Sequence, residues 1–162
     1  MAFVALGGNL GDAQASVLEA TERLGAFSSE PIYRSSLWRS SPVNCPPGSP
    51  DFINAVVVFT PQSSLTPEGL IIELQALERE FGRQTKKILN EARPLDLDLI
   101  AWGCEVRDTP ILTLPHPRAH LRRFVLQPLS ELAPDLVLPG QTQTVAELLS
   151  LLRTDEVLER VL

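Results

Sequence analysis

The stretch that most constrains this chain is Arg93-Pro-Leu-Asp-Leu-Asp-Leu-Ile-Ala-Trp-Gly103. From Leu95 to Leu99 leucine alternates with aspartate, and a period of two is that of a β-strand. Leu95, Leu97 and Leu99 then share one face and require a core, while Asp96 and Asp98 share the other. Aspartate is a poor strand former, and two carboxylates about 7 Å apart on one face repel each other. Two readings account for the pair. One is a half-exposed strand with a solvated polar face. The other is a site for hard divalent cations, which take carboxylate oxygens.

The rest of the chain supplies context. A net charge of −6 argues against bulk binding of nucleic acid. Yet Arg79, Arg83, Lys86, Lys87, Arg93, Arg118, Arg122 and Arg123 gather in sequence around the aspartates. Cations collected around a carboxylate pair suggest a small polyanion, such as a nucleoside triphosphate with its metal; a solvated basic surface is the alternative. No apolar run approaches a membrane span, and the N-terminus lacks the basic-then-apolar pattern of a leader. A cytoplasmic protein without membrane or nucleic-acid partners is expected. Cys45 and Cys104 form no CxxC and read as ordinary thiols. With 162 residues, a single domain over 1–162 can bury a proper core.

Phe3 to Leu6 reads as a first strand ending in Gly7-Gly8. Asn9-Leu-Gly-Asp12 lacks the Gly-Lys-Ser/Thr of a Walker loop and the glycine spacing of a dinucleotide fingerprint. It reads as a strand-to-helix turn with Asp12 as N-cap, while the paired glycines Gly7-Gly8 also suit a close backbone approach to a ligand. A helix over 13–24 with Gly25 as terminator follows, then one extended strand over Pro31–Ser41. Pro42–Pro50, with four prolines and a glycine, is a stiff loop long enough to be a lid. Asp51–Thr60 is strongly strand-like, with Phe52 and Asn54 on one face. An amide left without partners in such a run costs about 1–3 kcal/mol. Asn54 is therefore either a structural residue bonded to backbone or, with Phe52, a surface for a flat heterocycle.

Thr66-Pro67-Glu68 opens a second helix with a Leu70, Leu74, Leu77 and Phe81 stripe, ended by Gly82. Gln75 and Glu78 lie together off that stripe. Residues 83–92 form a basic loop. In His116-Pro-Arg-Ala-His120, two histidines four apart suit a helical metal site, but Pro117 follows the first directly. Histidine beside arginines better suits phosphate oxygens. Helices over 124–132 and 144–152 follow, then a charged, peripheral tail from Thr154. The order β-α-β-β-α-β, then a hairpin and short helices, predicts an α+β fold. Its ferredoxin-like core would carry a mainly antiparallel sheet covered by helices on both sides.

Several segments together carry a resemblance: Ala5-Leu-Gly-Gly-Asn-Leu-Gly-Asp12, Pro50-Asp-Phe-Ile-Asn-Ala-Val56, Leu77-Glu-Arg-Glu-Phe-Gly-Arg83, Arg93-Pro-Leu-Asp-Leu-Asp-Leu99 and Leu114-Pro-His-Pro-Arg118. In this order they resemble the 6-hydroxymethyl-7,8-dihydropterin pyrophosphokinases of folate biosynthesis. The resemblance implies transfer of pyrophosphate from MgATP to the pterin hydroxymethyl group, with AMP as second product and a monomer as the working form. Asp96 and Asp98 would hold two magnesium ions, and with Arg83 and Arg93 would form the catalytic set. Arg83, Arg93, His116 and Arg122 would contact the phosphates. Leu99, Leu112 and Thr113 would line the adenine site, with Gln75 and Glu78 also on the ATP side. Phe52 and Phe124 would sandwich the pterin, and Asn54 with Ser41, Pro42 and Val43 would read its polar edge. Asn90-Glu91-Ala92 departs from the Gly-Pro usual before the arginine, which places an acid near the phosphate path. Two other activities compete. A different strand-borne Asp-x-Asp nucleotidyltransferase would release pyrophosphate, and a non-catalytic relative would bind ligand without turnover.

Overall fold

The computed structural model describes residues 1–42, 45–82 and 94–161. Its strands are β1 (Ala2–Gly8), β2 (Tyr33–Arg34), β3 (Trp38–Ser40), β4 (Phe52–Phe59), β5 (Asp96–Trp102), β6 (Arg107–Asp108), β7 (Thr113–Leu114) and β8 (Leu158–Arg160). Its helices are α1 (Ala13–Leu24), α2 (Pro67–Glu80), α3 (Arg123–Leu132) and α4 (Val145–Leu151). The main sheet runs β5-β1-β4-β3-β8, with β2 also pairing β4, and every pairing is antiparallel. The small β6–β7 hairpin stands apart. No helix among the described residues is long and apolar enough to cross a membrane.

Two cores flank the sheet. Val4 and Leu6 of β1, Ala55 and Val57 of β4, and Leu97 and Leu99 of β5 pack with Val17 and Leu24 of α1 and Leu70 and Leu74 of α2. Phe3 and Ala5, Val56 and Val58, and Ile100 and Ala101 pack on the opposite face with Val125, Leu126 and Leu129 of α3 and Val145 of α4. Helices therefore cover both sides of a mainly antiparallel sheet, as an α+β chain predicts. β1 and β4 are buried on both faces, so their sequences read as continuous apolar runs. β5 alternates because its second face is apolar only where α3 and α4 reach it.

That switch in β5 is made by a bulge. Leu99 pairs with Val4, and the next partnered residue, Ala101, pairs with Phe3. Ile100 is thus the extra residue, and both Ile100 and Ala101 face the second core. The Ile100 carbonyl accepts the His116 N–H at 2.9 Å, so the bulge docks the His116 segment onto the strand that carries the aspartates.

Three of the helix starts follow their local signals. Asp12, Thr66 and Thr144 accept the N–H groups of Ala15, Gly69 and Glu147, and Thr144 with Glu147 closes a capping box. The first strand ends in Gly7-Gly8, as expected, and α1 ends at Leu24 with Gly25 as its C-cap, although Gly25 lies at φ −56° and opens a 3-10 turn. Two expectations are corrected. The extended strand over 31–41 is two short ones, interrupted where Ser35 exchanges bonds with Val56 through both its N–H and its hydroxyl. The tail from Thr154 is not peripheral, because β8 adds to the sheet beside β3.

Candidate active site at the uncovered end of the sheet

Where α3 and α4 stop, the second face of the sheet lies open as the floor of a cleft of about 710 Å³. The strand register sets that floor. Asp96 pairs with Gly7, Gly7 with Asn54, and Asn54 with Trp38; one step along, Asp98 pairs with Ala5. Gly7 leaves a trough between the carboxylate and the amide. A Cβ there would stand 3.2 Å from Asn54 Oδ1. The Asn54 amide donates through Nδ2 to Ser40 Oγ at 2.8 Å and to the Trp38 carbonyl at 3.3 Å, which turns Oδ1 toward Gly7. Asn54 is thus a bonded, buried residue that also lines the cleft.

The walls come from four directions. On the β5 edge, α2 contributes Gln75 and Glu78. Glu78, expected beside the apolar stripe, is buried, and its carboxylate accepts the Leu97 N–H at 2.9 Å. An edge strand needs such a partner for its outward N–H groups. The β6–β7 hairpin brings Leu112 and Thr113; Arg107 ties it to α2 by donating to Glu68 Oε1 at 2.7 Å. The 116–122 segment brings His116, Arg118 and Arg122, the start of α3 brings Phe124, and Phe52 and Ser41 come from the strand side. The C-terminal segment adds Glu156.

The electrostatics are those of a basic pocket facing two carboxylates. Burial, reinforced by Arg122 and Arg118, pushes His116 down to about 4 despite nearby Asp96. Its imidazole is therefore neutral at neutral pH. Nδ1 accepts the Arg118 N–H at 3.2 Å, so the proton sits on Nε2, a donor suited to an anionic oxygen. Burial and Arg118 lower Arg122, opposed by Asp98, Asp96 and Glu156. The Arg122 guanidinium carbon lies 5.3 Å from the Phe124 ring centroid, within cation–π range.

The donor set fits magnesium better than a closed protein metal site. Among the described residues no three His, Cys, Asp or Glu side chains converge, whereas structural zinc takes four protein ligands. Magnesium is held by one or two carboxylates, with substrate phosphates and water completing its shell.

Of the residues expected at the site, Asp96, Asp98, Gln75, Glu78, Leu99, Leu112, Thr113, His116, Arg122, Ser41, Phe52, Asn54 and Phe124 line this one cleft. Pro42 is described but does not line it. Arg83, Arg93 and Val43, and the Asn90-Glu91-Ala92 departure, lie outside the described residues. Sequence reasoning missed Ser40, Arg118 and Glu156 as lining residues. Arg118 was legible as part of the Pro-His-Pro-Arg segment, but Glu156 carried no local signal.

Comparison with known proteins agrees with the geometry. The model of the family described as 7,8-dihydro-6-hydroxymethylpterin-pyrophosphokinase (HPPK) matches residues 3–134. A 2-amino-4-hydroxy-6-hydroxymethyldihydropteridine pyrophosphokinase from Synechocystis is 39% identical over 148 residues, covering 91% of this chain and 74% of that protein. Its counterpart from Haemophilus influenzae is 38% identical, covering 91% and 89%. The folic acid synthesis protein fol1 of Pneumocystis carinii is 38% identical over 144 residues, which cover 89% of this chain but 19% of that protein. With a family match across most of its length and a cleft that gathers the expected side chains, the chain belongs to the 7,8-dihydro-6-hydroxymethylpterin-pyrophosphokinase family.

Proposed function

We propose that residues 1–162 act as one pyrophosphokinase domain that transfers the β,γ-diphosphate of MgATP to 6-hydroxymethyl-7,8-dihydropterin in folate biosynthesis. The observation that carries this reading is the uncovered quadrant of the sheet. There an Asp pair, a neutral histidine and an arginine meet two phenylalanines and a fixed amide around one cleft. The pterin hydroxymethyl oxygen bonds to the β-phosphorus and loses its proton. The bond from that phosphorus to the oxygen bridging the α-phosphate breaks, and AMP leaves with the electron pair.

Two Mg²⁺ ions, when bound by Asp96 and Asp98, supply charge neutralisation along the triphosphate. His116 donates its Nε2 proton to a phosphate oxygen, and Arg122 adds a fixed cation. Arg83 and Arg93 complete the phosphate contacts. Gln75, Glu78, Leu99, Leu112 and Thr113 form the nucleotide side, with the leucines against the adenine. Phe52 and Phe124 stack on the pterin, and Asn54 accepts through Oδ1 from its polar edge, beside Ser41. Catalysis is then mostly positioning and electrostatics.

The test is AMP release from MgATP with and without the pterin, for the native chain and Asp98→Ala. Pterin-dependent AMP, lost in the variant, is the expected result. Pyrophosphate release would instead indicate a nucleotidyltransferase, and binding of both ligands without AMP would indicate a non-catalytic relative.

A further inference from the structure

We infer that Glu156, in the C-terminal strap, is a positioning residue that fixes Phe124 for pterin binding, an inference that rests on the function proposed above. It begins from a helix that lacks its own cap. α3 starts at Arg123, its N-cap residue Arg122 makes no side-chain cap bond, and its first turn holds no acidic residue. A helix start leaves backbone N–H groups without partners. Glu156 Oε2 accepts the Phe124 N–H at 3.0 Å, and the neighbouring Arg123 backbone also favours its charged form. The cap that α3 lacks locally comes from a residue about thirty positions later, where an acid also complements the positive end of the helix dipole.

Glu156 is held on both sides. Upstream, Arg123 Nη2 donates to the Leu152 carbonyl at 3.4 Å. Downstream, Ser41 donates its N–H to the Val157 carbonyl at 3.2 Å, and the Val157 N–H points back to Ser41 Oγ at 3.4 Å. β8 then pairs with β3, and Val161 N–H reaches the Leu37 carbonyl at 2.9 Å. Two consecutive residues, Glu156 and Val157, thus tie together Phe124 and Ser41, which stand on different walls of the cleft. Burial raises the Glu156 carboxyl, and the Phe124 N–H, the Arg123 backbone and the Arg122 and Arg123 guanidinium groups offset that only in part. A half-buried carboxylate is costly unless such partners offset it. Glu156 lies beyond residue 134, where the family match ends.

The test measures pterin affinity by fluorescence titration, with a non-hydrolysable MgATP analogue present, for the native chain and for Glu156→Ala, Glu156→Gln and Glu156→Asp. Loss of one charge-assisted bond predicts roughly tenfold weaker pterin binding in Glu156→Ala, with analogue affinity within about twofold. Glutamine keeps an acceptor oxygen at the same reach and restores affinity to within about threefold. Aspartate keeps the charge but is one methylene short, and binds pterin as weakly as alanine does. Native affinity in Glu156→Ala, an equal loss for pterin and analogue, or Glu156→Asp binding better than Glu156→Gln would each overturn the inference. If the alanine variant does not fold, the order of the Gln and Asp variants decides. A native chain that binds no pterin ends the proposed function and this inference with it, a result distinct from variants that match a competent native chain.

Discussion

His116 carries an electrostatic consequence that reaches the stability of the whole chain. Its folded pKa of about 4 lies below the 6.5 of an ordinary imidazole. Between those values the unfolded chain binds more protons, so stability falls as pH falls. The contribution of neutral His116 is complete above about 6.5 and is lost as pH drops through about 4. The native chain should therefore lose more stability between pH 7 and pH 4.5 than His116→Gln, which has no proton to take up. Urea melts at the two values check this, and equal losses would mean that the imidazole is not held neutral. Gly7 shows how far residue-scale reading reaches. Gly7-Gly8 reads as the end of a strand, which it is, and as a glycine pair suited to close backbone approach. Only the pairing of Gly7 with both Asn54 and Asp96 reveals a missing side chain between two polar groups. Asp96, Asp98, Phe52 and Asn54 were legible because period two places them whether or not their partners are known.

At the scale of elements, legibility follows range. Caps act over three or four residues, so the starts of α1, α2 and α4 were readable from Asp12, Thr66 and Thr144. α3 is capped from the far end of the chain, and no window of sequence contains that relation. The same holds for Glu78. A helical wheel puts it beside the leucine stripe of α2, but it cannot show that this flank abuts the edge of β5. The structure gives Glu78 a structural task, acceptance of the Leu97 N–H between the two aspartates. Glu78→Ala should destabilise the chain by about 1–3 kcal/mol, the cost of leaving a buried donor without its acceptor. Glu78→Gln, which retains an oxygen, should recover most of it. Amide exchange should quicken at Leu97 in the alanine variant and stay slow in the glutamine one. Equal exchange in both would show that the edge is satisfied by another group.

For the whole molecule, the decisive fact is that two helix layers cover the sheet unequally. α1 and α2 bury the first face from β5 across to β4. α3 and α4 cover the second face only over Phe3, Ala5, Val56, Val58 and the bulged end of β5. The remaining quadrant becomes the cleft, and its walls rest on different cores. α2, on the first core, carries Gln75 and Glu78; α3, on the second, carries Phe124 in its first turn. Leu70 of α2 and Leu126 of α3 are both fully buried, so truncating either to alanine should cost about 2–5 kcal/mol. The functional consequences should diverge. Leu126→Ala loosens the helix whose first turn presents Phe124, and should weaken pterin binding more than MgATP binding. Leu70→Ala loosens the helix that carries Gln75 and Glu78, on the side proposed for the nucleotide, and should do the reverse. Paired titrations on the two variants, below their melting temperatures, decide the matter. A parallel loss of both ligands in both variants would mean that the two cores yield as one body and that the walls of the cleft are not separately supported.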